Sequence, residues 1–163
     1  MSDDNRSEGA RKVTELIKGN NIVMLTTVDA DGTLMSRPMA LQDVEFDGDV
    51  WFFVERSSRI AAQVTANPKV NVAVGSASSW VSLSGTASIV DDVAKKHELW
   101  DATVSAWFPQ GPDSPDISLV HVAGESAEYW NTPGGRLATV FSFAKAKVTG
   151  KPYDGGENER VDL

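Results

Sequence analysis

Two acidic turn motifs constrain this fold more than any other feature of the chain. Asp29-Ala30-Asp31-Gly32 separates the β-branched run Ile22 to Val28 from the extended stretch Thr33 to Leu41, and Asp47-Gly48-Asp49 separates Val44 to Phe46 from Val50 to Glu55. Aspartate and glycine suit the special backbone conformations of tight turns, so each motif predicts a β-hairpin. Two hairpins in succession commit this part of the chain to antiparallel sheet.

The rest of the pattern inserts helices among strands instead of alternating with them. Ser7 is placed to cap a first helix whose Val13, Leu16 and Ile17 share one face and which Gly19 ends. Arg59 to Ala66 reads as a helix with serine at its N-cap. Asn67-Pro68 ends it, because the residue before proline is pushed out of the α region. Val70 to Gly75 and Trp80 to Val90 are strand candidates, with Gly75 and Gly85 as candidate bulges. Asp91 is placed to cap a longer helix to about Ser105, followed by the loop Trp107-Phe108-Pro109-Gln110-Gly111-Pro112. Strands Ile117 to Ala123 and Ser126 to Trp130 then lead to Pro133-Gly134-Gly135. A last helix follows, carrying Leu137, Val140, Phe141, Ala144 and Val148.

About six to eight short strands in this arrangement favour a mainly β (α+β) fold, an antiparallel barrel with peripheral helices, over a doubly wound parallel sheet. A single domain over 1–163 is expected, with 1–9 and 155–163 as flexible acidic tails.

No apolar run approaches the roughly 20 residues of a membrane span, and Met1 to Arg11 is polar, so no membrane association and a cytoplasmic location are expected. Without cysteine there is no disulfide, thiolate nucleophile or sulfur-ligated metal. A formal net charge of −8, uninterrupted by any Lys/Arg cluster, disfavours nucleic acid as a partner. The five tryptophans point instead to a planar ligand or an aromatic-rich interface.

Chemistry concentrates in Ser36-Arg37-Pro38-Met39 and in the run from Trp51 through Phe52, Phe53, Val54, Glu55, Arg56, Ser57, Ser58 and Arg59 to Ile60. If these segments are adjacent, Arg37 and Arg59 converge on one anion while Ser57 and Ser58 offer hydroxyls beside a helix N-terminus. That makes a phosphate seat without a glycine-rich loop. The plainer alternative has a serine simply capping the helix and both arginines solvated. Capping and phosphate binding are compatible.

In order and spacing these residues resemble the pyridoxamine-phosphate-oxidase-like flavin-binding split barrels, and within them the general-stress-protein branch. The resemblance runs from about Arg11 to Gly150. It is carried by Ser36-Arg37-Pro38-Met39, Trp51-Phe52-Phe53, Ser58-Arg59, Asn67-Pro68, and Trp107-Phe108-Pro109 before Glu128-Tyr129-Trp130. It implies an FMN-binding split β-barrel of antiparallel Greek-key type, and a homodimer with two flavin mononucleotide (FMN) sites at the subunit interface. The phosphate would be held by Arg37, Ser57, Ser58 and Arg59. Main-chain groups near Pro38, Met39, Phe53 and Val54 would meet the ring system, and Trp80 and the Trp107 loop would approach it from the partner subunit.

The sequence departs from the biosynthetic oxidase where a further basic residue follows the Ser-Arg pair, a position held here by Ile60. It also lacks a C-terminal Arg/His constellation for a second phosphate. True pyridoxamine phosphate oxidation is therefore not expected. The resemblance implies a flavin-dependent oxidoreductase of unspecified substrate. The alternatives are a flavin-binding or redox-sensing stress protein without turnover, the same barrel holding FAD, a deazaflavin or a tetrapyrrole, and a purely structural dimer.

Other constellations read as structural. His97 and His121 have no metal-ligand spacing, so no metal site is expected. Asp91-Asp92 and Glu125/Glu128 read as a helix cap and a solvated hairpin rather than acid–base pairs. The serines between Ser76 and Ser84 lack a nucleophile elbow. Trp51, Trp100 and Trp130 are assigned to the core or the dimer interface.

Overall fold

A computed structural model describes residues 3–42, 46–132 and 156–163. The first hairpin is the one the sequence predicts. β1 (Ile22–Val28) and β2 (Leu34–Ala40) pair antiparallel from Ile22↔Ala40 to Val28↔Leu34. In the turn between them Gly32 N–H donates to the Asp29 carbonyl at 2.9 Å.

Of the second predicted hairpin, the second strand is described. Val44 lies outside the described residues, and β3 (Asp49–Glu55) pairs with a distant strand, β6 (Ile117–Asn131), from Asp49↔Ala123 to Glu55↔Ile117. The Asp47-Gly48 turn itself is present, with Gly48 at φ 106, a conformation that a Cβ would strain. The Gly48 carbonyl accepts Gly124 N–H at 2.8 Å, which fixes where β3 begins against β6.

Helix α1 spans Asp3–Ile17, so position 7 is inside the helix and not its cap, and residues from 3 onward are helical rather than a tail. Its Val13 and Ile17 are buried, with Leu16 packed beside them. Helix α2 (Arg59–Ala66) has the predicted caps: the Ser58 hydroxyl accepts Ala61 N–H at 3.2 Å, and Asn67 ends it. Strands β4 (Lys69–Gly75) and β5 (Ser79–Val90) follow.

The single helix expected from Asp91 to about Ser105 is two, α3 (Val93–Leu99) and α4 (Ala102–Trp107), capped by Asp92 and Asp101. The Asp101 carboxylate accepts Val104 N–H at 2.7 Å, and that local bond starts a new helix where the first would have continued. Asp91 does not cap; it accepts from Ser118 and pairs with Arg56 at 2.7 Å.

The two strands expected over 117–130 are one. The register passes from Ser84↔Ser126 to Gly85↔Gly124, leaving Glu125 as the extra residue of a bulge. Gly85 is required there, because a Cβ would lie 2.3 Å from the Ala123 carbonyl oxygen. The bulge divides β6: its first half pairs with β3, and its second half pairs with β7 (Glu157–Asp162) from Ser126↔Asp162 to Asn131↔Glu157. The residues expected as a C-terminal tail therefore include a sheet strand. The last predicted helix, Leu137 to Val148, lies outside the described residues.

Sheet order is β2-β1-β4-β5-β6-β3, with β7 also on β6, antiparallel at every described pairing. β2 and β3 stand at the two ends of this order, and the connection from β3 through α2 to β4 carries the chain back beside β1, the longer return of a Greek-key arrangement. The sheet curls until β2 and β3 approach each other without pairing, which leaves a split barrel. Its interior holds Val23, Leu25, Phe52, Val72, Leu83 and Val122 against Val13 and Ile17 of α1. A second cluster places Phe53, Ile117 and Leu119 under Leu99 and Val104 of α3 and α4. Both faces of β3 are thus buried, Phe52 inward and Phe53 outward. No described helix is long and apolar enough to cross a membrane.

Candidate functional site

Alternation along β2 decides the fate of Arg37. Met35, Arg37 and Met39 form its less exposed side, and Arg37 lies opposite the buried Leu25 of β1. Its guanidinium therefore turns inward and reaches α2. Nη1 donates to Thr27 Oγ1 at 2.9 Å and Nη2 to Gln63 Oε1 at 2.8 Å. The Thr27 hydroxyl donates to the same Gln63 oxygen at 2.6 Å, and both residues are buried.

Gln63 follows Arg59 by one helical turn, so the two share a face of α2. Arg59 Nη2 donates to the Asp29 carboxylate in the β1–β2 turn, and Asp29 also accepts Ala30 N–H at 2.9 Å. The Ala30 bond first, and the Arg59 bond after it, hold the Asp29 carboxyl below the usual carboxylate range. Arg37 is shifted down, chiefly by burial and then by the nearby Arg59 charge, with Asp29 opposing; a guanidinium stays cationic throughout.

The two arginines singled out from the sequence therefore come together along one face of α2, Arg59 at its first residue and Arg37 one turn on, at Gln63. Two guanidinium groups meet one carboxylate, and the partners of Arg37 are neutral, so the cluster carries surplus positive charge. Ser57 is exposed beside it, and Ser58 caps the helix whose first N–H groups are suited to an anion.

The other expected site residues fall into two groups. Val54 packs in the main core, Phe53 in the second cluster and Met39 against the main core, while Pro38 is exposed on the outer face. Their side chains serve packing, but their backbones do not all end there. β2 and β3 each have a single sheet neighbour among the described residues, so their open edges approach one another near α2. Trp80 and Trp107 are not brought to the cluster. Trp80 is 49% exposed on the outer face, opposite in alternation to Leu83 and Arg37, and Trp107 ends α4 with 74% of its surface exposed.

Ile60, where the biosynthetic enzyme would carry a charge, packs against the main core. Sequence reasoning missed Thr27, Asp29 and Gln63 as members of the cluster. Gln63 left one signal, a polar side chain on the helix face that buries Ala61 and Val64.

Elsewhere, Trp51 stacks on His121 with ring centroids 4.3 Å apart, and Trp100 meets Phe53 edge-on. His121 Nε2 lies 3.0 Å from an Asp49 carboxylate oxygen, off hydrogen-bond alignment, and His97 Nε2 lies 2.9 Å from Asp113. A cavity of about 770 Å³ opens between α1 and β7, lined by Glu8, Glu15, Glu157 and Glu159 along with Arg11, Lys12 and Tyr129. Its carboxylates outnumber its cations, so it is a poor seat for a phosphate.

The chain is similar to known proteins in sequence and in fold. The sequence pattern of the family described as pyridoxamine 5'-phosphate oxidase like matches residues 8–154. Protein bli-3 of Neurospora crassa is 29% identical over 154 residues, covering 86% of this chain and 73% of its own length. A crystal structure from Jannaschia sp. CCS1, described as general stress protein 26, superposes with a TM-score of 0.77 at 26% identity, over 96% of this chain and 99% of that one. The general stress FMN/FAD binding protein of Xanthomonas citri superposes with a TM-score of 0.66 at 27% identity, over 77% and 89% of the two chains. With the split barrel in place and the family pattern running through nearly the whole of it, the chain belongs to the pyridoxamine 5'-phosphate oxidase-like family.

Proposed function

We propose that this chain is an FMN-binding flavoprotein that works as a homodimer and acts as an oxidoreductase. The observation that carries the reading is the convergence of Arg37 and Arg59 on one face of α2, with surplus positive charge and the Ser57 and Ser58 hydroxyls beside Arg59. A dianionic phosphate ester suits that surplus better than a neutral ligand does. The open backbone edges of β2 and β3 would meet the polar rim of the ring system. The similarity to an FMN/FAD binding protein of Xanthomonas citri supports a flavin as the ligand.

Hydride or electron transfer is the chemistry a bound flavin supplies. The chain's own residues would hold the phosphate, orient the ring and exclude water. Ile60, packed in the core, gives no further phosphate contact, in keeping with a substrate other than pyridoxamine phosphate.

The outer sheet face supports the homodimer. Ile22, Met24, Pro38, Trp80 and Trp130 lie exposed on one side of β1, β2, β5 and β6, an apolar surface of the kind that a second copy covers.

An absorption spectrum of the purified protein, with extraction and mass measurement of the bound compound, tests the reading. Flavin absorption and the mass of FMN are expected. Protein that remains colourless after incubation with excess FMN would overturn it. A yellow protein whose flavin accepts no electrons from nicotinamide nucleotides or other donors would keep the binding and remove the enzymatic role.

A further inference from the structure

Asp29 is an acidic residue inside a cluster otherwise built to attract an anion. Its position is fixed by the β1–β2 turn: its N–H donates to the Thr33 carbonyl at 2.8 Å, its carbonyl accepts Gly32 N–H at 2.9 Å, and its carboxylate accepts Ala30 N–H. Its side chain is 22% exposed, whereas that of Arg59 is 62% exposed. Arg37 is anchored by Thr27 and Gln63, so of the two cations it is the stationary one. Arg59 is the movable one, and it rests on Asp29.

We infer that Asp29 is a competing internal anion, which occupies Arg59 until a phosphate ester arrives and thereby sets how tightly the site takes phosphorylated ligands. The inference rests on the phosphate seat proposed above. Arg59 must leave Asp29, or share itself, to reach the ligand. Asp29 also places a like charge beside the incoming phosphate. Both effects weaken binding of a phosphorylated flavin and leave a flavin lacking the phosphate untouched. Asp29 would thus restrain the affinity of the cluster for any phosphate that enters it, FMN included.

The experiment compares FMN and riboflavin binding, by quenching of flavin fluorescence, in the wild type, Asp29→Asn, Arg59→Ala and the double variant. Asparagine keeps an acceptor for Ala30 N–H, and Asp29→Ser is a second replacement that can also close the turn. Asp29→Asn and Asp29→Ser should bind FMN about fivefold more tightly with riboflavin unchanged, and the gain should shrink at high salt. In the Arg59→Ala background the gain should shrink to the part that comes from removing the like charge. Weaker or unaltered FMN binding in both Asp29 variants, or an equal gain without Arg59, would overturn the inference while the phosphate seat stands. Equal affinity of the wild type for FMN and riboflavin would overturn the seat and the inference together.

Discussion

The guanidinium of Arg37 on β2 donates to the side-chain carbonyl of Gln63 on α2, at 2.8 Å. This bond ties the edge strand to the helix whose N-terminal end carries Arg59 and Ser58. It also makes the candidate anion seat a part of the fold's own support, so binding and stability effects can be separated by which arginine is removed.

Arg59 is exposed and its loss should leave the fold intact. Arg59→Ala is expected to weaken FMN binding by about 1.5–3 kcal/mol, as for a lost charge-assisted hydrogen bond, with riboflavin barely affected. Parallel titrations with the two flavins measure it. Equal weakening of both would mean that the guanidinium does not meet the phosphate.

Gln63→Leu should act differently. The buried Thr27 hydroxyl and the Arg37 guanidinium would lose their shared acceptor, at a cost of about 1–3 kcal/mol in unfolding free energy. FMN binding should weaken too, because Arg37 would no longer be held in place. Urea denaturation together with an FMN titration checks both, and an unchanged midpoint would show that Gln63 bears no weight in the cluster.

Met24 sits 39% exposed in the apolar outer face. Met24→Glu places a charge where a second copy is expected to pack, and the desolvation cost should shift the protein from dimer to monomer. Light scattering after size-exclusion chromatography reads the mass directly. A dimer that persists with undiminished affinity would move the interface elsewhere.

Tyr129 gives a stability prediction at alkaline pH. Burial first, and then its hydrogen bond to Glu159 on β7, push its phenol up to about 12 from 10.0. Between those values an unfolded chain loses the tyrosine proton while the folded one keeps it. The folded state then binds more protons, so stability falls as pH rises through that window. Tyr129→Phe should flatten the decline relative to the wild type in denaturation series run from pH 9 to about 12.

Much of the site was legible because its signals are local. Ser58 as N-cap and Asn67-Pro68 as terminator fix α2 within a few residues of chain, and Asp29 to Gly32 fixes the β1–β2 turn, so Arg37 and Arg59 could be placed on known elements. Thr27, Asp29 and Gln63 were not legible as site members. Their roles arise from strand register and helix packing, which join residues 26 and 36 positions apart.

The same division runs through the fold. The sequence by itself determined the antiparallel character, the first hairpin, the caps of α2 and the presence of paired cations, since turns, caps and alternation are set by neighbours along the chain. Tertiary structure alone decided that β3 joins β6, that Glu125 bulges so one long strand serves two neighbours, and that residues 157–162 become a strand. Those outcomes depend on which distant edges are free to satisfy backbone hydrogen bonds, and on a close backbone approach at Gly85. No stretch of neighbouring residues carries that information.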